Sequence, residues 1–148
     1  MPTPAAQLAS FLAKFDPPVA ALARACLKRV RQLAPGSIEL VYDAYNALAI
    51  GFATGERLSD GFIHVAVYPE HVNIGFNRST ELDDPARLLE GTGNKIRHVR
   101  IENRAQLANP DLEKLIRAAA KDAPGGRGRI VIKAIYERRR PRRPGEGR

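Results

Sequence analysis

The stretch FIHVAVYPEHVNIGF, Phe62–Phe76, decides the fold class. Ile63, Val65 and Val67 alternate with Phe62, His64, Ala66 and Tyr68, and after the Pro69-Glu70 corner Val72, Ile74 and Phe76 alternate with His71, Asn73, Gly75 and Asn77. A period of two on both sides of a turn is the signature of antiparallel strands with one face on a core. Working back toward the N-terminus, Leu48, Ile50 and Phe52 point one way while Ala47, Ala49 and Gly51 keep the other side small, as happens where a helix or another backbone comes close. One strand earlier, Ile38, Leu40 and Tyr42 share a face. Four strands in succession read as an antiparallel meander.

Helical spacing brackets the meander. Leu8, Phe11, Leu12 and Phe15 form a short amphipathic helix that closes before Asp16-Pro17-Pro18, and Val19, Leu22, Cys26, Val30 and Leu33 form the stripe of a second, capped by Asp16 and ending at Pro35-Gly36. Its outer face carries Arg24, Lys28 and Arg31, which read as a solvated side. Asn109-Pro110 opens another helix with a stripe of Leu112, Leu115, Ile116 and Ala119. Asp83 or Asp84, Pro85 and the stop at Gly91 predict a short helix over DDPARLLEG. A fifth strand follows at Ile96–Ile101, and Arg129–Tyr136 alternates as a last one. The expected fold class is α+β, a two-layer arrangement around a mainly antiparallel sheet.

A chain of 148 residues with 44% apolar content suits a single domain. No apolar run approaches the roughly 20 residues that cross a bilayer, and the N-terminus lacks a cationic segment before an apolar core, so a cytoplasmic protein without membrane contact is expected. The single cysteine, Cys26, has no disulfide partner in the chain and reads as a core residue. The net charge of +8 is uneven: residues 1–123 carry 15 Lys or Arg against 14 Asp or Glu, whereas 124–148 carry 9 against 2. The basicity therefore belongs to the end of the chain. One domain is expected over 1–136, with a basic, disordered tail at 137–148, where Arg138, Arg139, Arg140, Arg142 and Arg143 could contact nucleic-acid phosphates without reading bases.

The segment LEGTGNKIRHVRI, Leu89–Ile101, has the look of an anion loop. A phosphate loop needs its glycines between a strand and a helix, with Lys followed by Ser or Thr. Here Gly91 and Gly93 lead into a strand and Lys95 is followed by Ile96, so the nucleotide reading fails and Lys95, Arg97, His98 and Arg100 become a strand with a modest anion-binding surface or paired charges. The polar cluster Tyr42, Asp43, Tyr45 and Asn46 between two strands is the other candidate ligand contact, although such residues also frame hairpins. No nucleophile and base motif is present, so no catalytic residue is assigned.

NIGFNRSTELDDPARLLEGTGNKIRHVRI followed by PDLEKLIRAAAK resembles the YdhG-like domain family, a domain of unknown function with a frataxin-like fold. The likeness spans about residues 10–122, with the strand at 129–136 completing the domain. It is strongest at Gly75-Phe76, Leu82, Leu88–Gly91, Gly93, Lys95 and Arg97-His98. Typical members carry Trp-Gly and Pro-x-Tyr where this chain has Val41–Tyr45. The resemblance implies a frataxin-like sandwich with helices packed on one face of the sheet, and it raises iron handling, for which Asp83, Asp84 and Glu90 are the available carboxylates. A hard cation wants clustered carboxylates, and the long helix offers Arg24, Lys28, Arg29 and Arg31 instead. His64, His71 and His98 have no close metal-ligand spacing. The reading reached is a non-enzymatic binding module for a small ligand or protein partner, with no cofactor; the alternatives are an iron chaperone and a nucleic-acid accessory protein.

Overall fold

Each α-helix begins where a proline follows a polar residue. In the computed structural model, which describes residues 2–44 and 47–135, Thr3 Oγ1 accepts from Ala6 N at 3.1 Å ahead of α1 (Pro4–Leu12). Asp16 takes the N-cap position of α2 (Pro17–Leu33), and Asn109 Oδ1 accepts from Asp111 N at 2.8 Å to cap α3 (Pro110–Ala119). Proline at the first helical position loses no intrahelical bond and brings a preset φ. Among the described residues no helix is long and apolar enough to cross a membrane.

The strands are β1 (Ile38–Asp43), β2 (Leu48–Ala53), β3 (Gly61–Val67), β4 (Val72–Phe76), β5 (Arg97–Ile101) and β6 (Arg129–Ile135). They form one mixed sheet in the order β5-β4-β3-β2-β1-β6. The meander expected from alternation is present, since β1 to β5 pair antiparallel in chain order. The last strand joins differently: β6 runs parallel to β1, with a register irregularity between Val41 and Tyr42. Gly36 shapes that junction. Its φ of +79° is one that side chains rarely adopt, and a Cβ there would lie 2.0 Å from Gly125 O, where Gly125 N donates to Pro35 O at 2.8 Å. The turn after α2 thus clamps the return from α3 and delivers β6 beside β1. Tyr136, expected to close that strand, lies outside the described residues, as does the tail at 137–148.

One cross-strand row, Val41, Ile50, Val65, Ile74 and Val99, runs through the core. With its neighbours Phe52, Ile63, Phe76 and Ile101 it shares a hydrophobic cluster with Leu8, Phe11 and Leu12 of α1, Ala23, Cys26, Leu27 and Val30 of α2, and Leu112, Leu115 and Ile116 of α3. Each fully buried Val, Leu, Ile or Phe contributes about 1.5–3 kcal/mol. Burial pushes the Cys26 thiol up to about 12, so this cysteine is an inert core residue.

Two local expectations are corrected. DDPARLLEG does not form a helix: Asp84 Oδ1 and Oδ2 accept from Leu88 N and Leu89 N, each at 2.9 Å, and Arg87 has φ of 55°, so the carboxylate organises a turn where too few residues are available to nucleate a helix. Ile38, Leu40 and Tyr42 share one face of β1 as expected, and Glu39 and Val41 take the core side. Core-side Glu39 is accommodated by a two-point bond from Arg31, with Nε to Oε2 and Nη2 to Oε1 both at 2.8 Å. Of the outer-face residues of α2, Arg24 and Lys28 are exposed as expected, whereas Arg31 is more than a solvated side chain because it holds Glu39; Arg29, elsewhere on the helix, bonds Leu107 O at 3.1 Å and pairs with Glu113.

Candidate functional site

Strand register builds a second surface from the side chains that alternate with the core set. Tyr42, Ala49, Ala66, Asn73 and Arg100 form one row across five strands, and Leu40, Gly51, His64, Gly75 and His98 form the next. Tyr42 on β1 and His98 and Arg100 on β5 thus stand at ends of these rows, with Ala49, Ala66 and Asn73 or Gly51, His64 and Gly75 between. Gly51 has room for a methyl group, its nearest neighbour being Leu40 O at 3.8 Å. The small residues of β2 are therefore a floor, and the close approach of another backbone expected there is not what makes Gly51 small. Beside the first row, where Tyr68 N donates to His71 O at 2.9 Å, the rings of Tyr68 and His71 stack with centroids 4.5 Å apart.

Asn73 holds the centre of this surface. It is only 9% exposed, between Ala66 on one side and exposed Arg100 on the other. Among the described residues no group donates to its Oδ1. A buried amide oxygen without a donor costs about 1–3 kcal/mol, which marks the position as unusual for a native sheet. The guanidinium of Arg100 forms no ion pair with the described residues.

The histidines are tuned by the same neighbourhood. Burial lowers the pKa of His64; a hydrogen bond with Asn77 opposes the shift and the charge of His98 adds to it. Because the Asn77 Oδ1 at 2.9 Å is an acceptor, the neutral ring carries its proton on Nδ1 and keeps a lone pair on Nε2. That nitrogen lies over Gly75, where a Cβ would sit 2.0 Å from it. His71 is also lowered, first by burial, then by Arg100 and His98, with Glu70 opposing. At neutral pH His64 and His71 therefore offer hydrogen bonds while Arg100 offers charge.

Of the residues expected from sequence, Tyr42, His98 and Arg100 lie on this surface, His98 and Arg100 together on β5 and Tyr42 four strands away on β1. Asp43 does not, because its parity turns it to the core side, where it is fully buried; Tyr45 and Asn46 lie outside the described residues. Lys95 is held apart in a loop, its carbonyl accepting from Ser79 N at 2.8 Å and from Ser79 Oγ at 2.6 Å. Arg97 has the other parity and donates from Nε to Gly93 O at 3.1 Å. The glycines of LEGTGNK serve a turn that brings Glu90 into a bridge with His98. Glu90 Oε2 lies 3.9 Å from His98 Nε2, while both oxygens of Asp84 serve the backbone and Asp83 is exposed. Among the described residues no group of three or more His, Cys, Asp or Glu is placed to hold a metal. Arg138, Arg139, Arg140, Arg142 and Arg143 lie outside the described residues.

Sequence reasoning passed over Asn73, His64 and His71 as outward polar residues of alternating strands. The signal that could have found His64 is that it stands between Gly51 and Gly75, which becomes visible once register is known. No family model, curated protein or solved structure matches this chain.

Proposed function

We propose that this chain is a YdhG-like domain of frataxin-like architecture, with helices covering one face of the sheet and the other face serving as a non-enzymatic binding surface. The observation that carries the reading is Arg100, exposed on the same sheet face as Tyr42 and His98, with a guanidinium that forms no ion pair with the described residues. Support for the two faces comes from the core, whose cluster gathers helix residues with the Val41–Ile50–Val65–Ile74–Val99 row and leaves out Tyr42, Ala49, Ala66 and Asn73. Support for binding over reaction comes from the groups on the rows: phenol, amide, imidazole and guanidinium recognise polar ligands, and Cys26 is sequestered in the core with its thiol pushed up to about 12. The partner is a small molecule or a protein segment. The iron reading has weaker support, since the carboxylate of Asp84 is spent on backbone N–H groups.

The test is a metabolite screen read by amide and side-chain NMR shifts on isotope-labelled full-length protein. Ligands should shift signals of Tyr42, His71, Asn73, His98 and Arg100 together, and raise the midpoint of thermal unfolding by mass action. Arg100→Gln should remove both effects. Shifts confined to another place, such as the 440 Å³ cleft lined by Phe62, Leu82, Ala118 and Lys121, would refute the assignment.

A further inference from the structure

We propose that the groove at one end of strands β3, β4 and β5 docks an acidic segment of a partner protein. An aliphatic side chain of that segment enters between Leu58 and Ile96, and its carboxylates meet Arg78 and Lys95. The groove does not include Arg100, so this site is separate from the surface proposed above and is tested independently of it. β4 ends at Phe76, and the strands on either side of it, β3 and β5, begin at Gly61 and Arg97. Leu58 and Ile96 therefore stand on opposite flanks of the Asn77-Arg78 exit, across about 10 Å, twice the strand spacing. An open groove of 830 Å³ lies between them.

Two of the three large apolar side chains exposed among the described residues are here: Leu58 is 75% exposed and Ile96 54%. Each is held outward by a bonded turn. Leu58 opens the 3₁₀ turn Leu58–Asp60. Asp60 closes that turn: its Oδ2 accepts from Arg57 N at 3.0 Å, its N–H donates to Arg57 O at 2.9 Å, and its carbonyl accepts from Thr54 N at 3.1 Å. Ahead of Ile96, the Lys95 carbonyl accepts from Ser79 N at 2.8 Å and from Ser79 Oγ at 2.6 Å. The loop is folded so tightly that a Cβ at Gly93 would lie 2.7 Å from Ile96 O. Apolar surface that an ordered backbone keeps in water favours a partner that covers it. Because both turns are already formed, docking has little backbone left to order.

The charges select the partner. Arg78 and Lys95 line the groove, are exposed, and form no ion pair with the described residues. One contact steers Arg78 toward the Leu58 side, Nη2 donating to Ser59 O at 3.4 Å, which leaves the rest of its fork for a carboxylate. The nearby Arg57 is already paired with Asp60 at 3.1 Å. Glu81 is the one carboxylate in the lining against these two cations, so acidic residues beside the aliphatic one are favoured. A second copy of this chain is a poorer occupant, since a two-fold contact brings equivalent surfaces together and sets Arg78 and Lys95 against their own counterparts. A lipid surface also fits less well, because the two aliphatics flank a hollow instead of sharing one tip.

The experiment titrates a fluorescent peptide, leucine at its centre and two glutamates on each side, with the full chain and reads anisotropy. The peptide should bind, more weakly as salt is added. Alanine in place of its leucine, or glutamine in place of its glutamates, should each weaken binding at least about tenfold. Leu58→Ser and Ile96→Ser should do the same with little change in thermal midpoint, since both side chains are exposed. Ile135→Ser, which removes the third exposed aliphatic, outside the groove, should bind as the unchanged protein does. Lys95→Gln should weaken binding of the glutamate peptide and leave that of the glutamine peptide unchanged. In the unmodified protein the methyl NMR signals of Leu58 and Ile96 should shift on addition of the leucine peptide, which locates the contact even where a variant loosens its turn. Unshifted methyl signals, equal affinity for the alanine peptide, or unchanged affinity in both serine variants would overturn the inference. So would capture of phosphatidylserine vesicles through Leu58 and Ile96 without peptide binding, which would make the patch a lipid contact. A dimer in sedimentation that Leu58→Ser dissolves would overturn it as well, in favour of a contact between copies.

Discussion

Adding one methyl group at Gly75 tests whether His64 is held as described. A Cβ on Gly75 would lie 2.0, 2.2 and 2.7 Å from Nε2, Cε1 and Cδ2 of His64, so the ring must swing away and release its 2.9 Å bond to Asn77 Oδ1. The lost hydrogen bond costs about 1 kcal/mol and the displaced rotamer about 1 kcal/mol more. The lower chain entropy of unfolded alanine relative to glycine returns about 0.4–1 kcal/mol. Gly75→Ala should therefore destabilise the protein by about 1 kcal/mol. In a His64→Ala background the obstruction is gone, and the same change should be neutral or stabilising. Urea denaturation of the four proteins, with m-values checked for constancy, gives a coupling energy expected near 2 kcal/mol. A cost for Gly75→Ala that is the same with and without the His64 ring would refute the contact and, with it, the placement of His64 on this surface.

Phe76 is fully buried in the core, so Phe76→Ala should cost about 3–5 kcal/mol in the same assay; an unmoved midpoint would place the side chain elsewhere. For pH, the folded-state pKa of His64 lies below its ordinary value of 6.5, so between the two values the unfolded chain binds more protons than the folded one. The contribution of His64 is present above about pH 6.5 and is lost as pH falls through the folded value; His64→Gln should flatten that part of the stability profile, and an unchanged slope would contradict the burial. Arg31→Met leaves the carboxylate of Glu39, a residue only 7% exposed, without its two-point donor and should cost about 1–3 kcal/mol, whereas the double variant with Glu39→Gln should recover part of it. Cys26 should resist a thiol reagent until the protein unfolds, because burial holds it as the thiol; rapid labelling under native conditions would show an opening of the core.

What the sequence by itself determined was everything that local chemistry can specify. Asp16 and Asn109 before prolines set two helix starts, and the period of two in FIHVAVYPEHVNIGF made Val72, Ile74 and Phe76 core residues, each now fully buried. The exclusion of a nucleotide loop at LEGTGNK was equally local, since it turned on what precedes and follows two glycines. The uneven charge was countable. Where a segment was short, local cues competed: Asp84 and Pro85 suit a helix start, but the same carboxylate closes a turn onto Leu88 and Leu89, and a few residues of propensity cannot outweigh the cost of helix nucleation.

Only the tertiary structure decided which residues meet. Alternation states that two sets of side chains exist on a strand but not which partner lies across from each, and every feature of the proposed site depends on that cross-strand register. Tyr42 and Arg100 share a row because three intervening strands keep step. Asn73 is buried although its strand pattern reads as outward, and Gly75 is required because His64, from the neighbouring strand, occupies the volume of its missing side chain. The parallel seat of β6 beside β1 was likewise invisible in its alternation, for it depends on a clamp between Pro35-Gly36 and Gly125, about ninety residues apart. Periodicity is a property of neighbours along the chain, whereas a binding surface is assembled from neighbours across it, and hydrogen-bonded register converts one into the other.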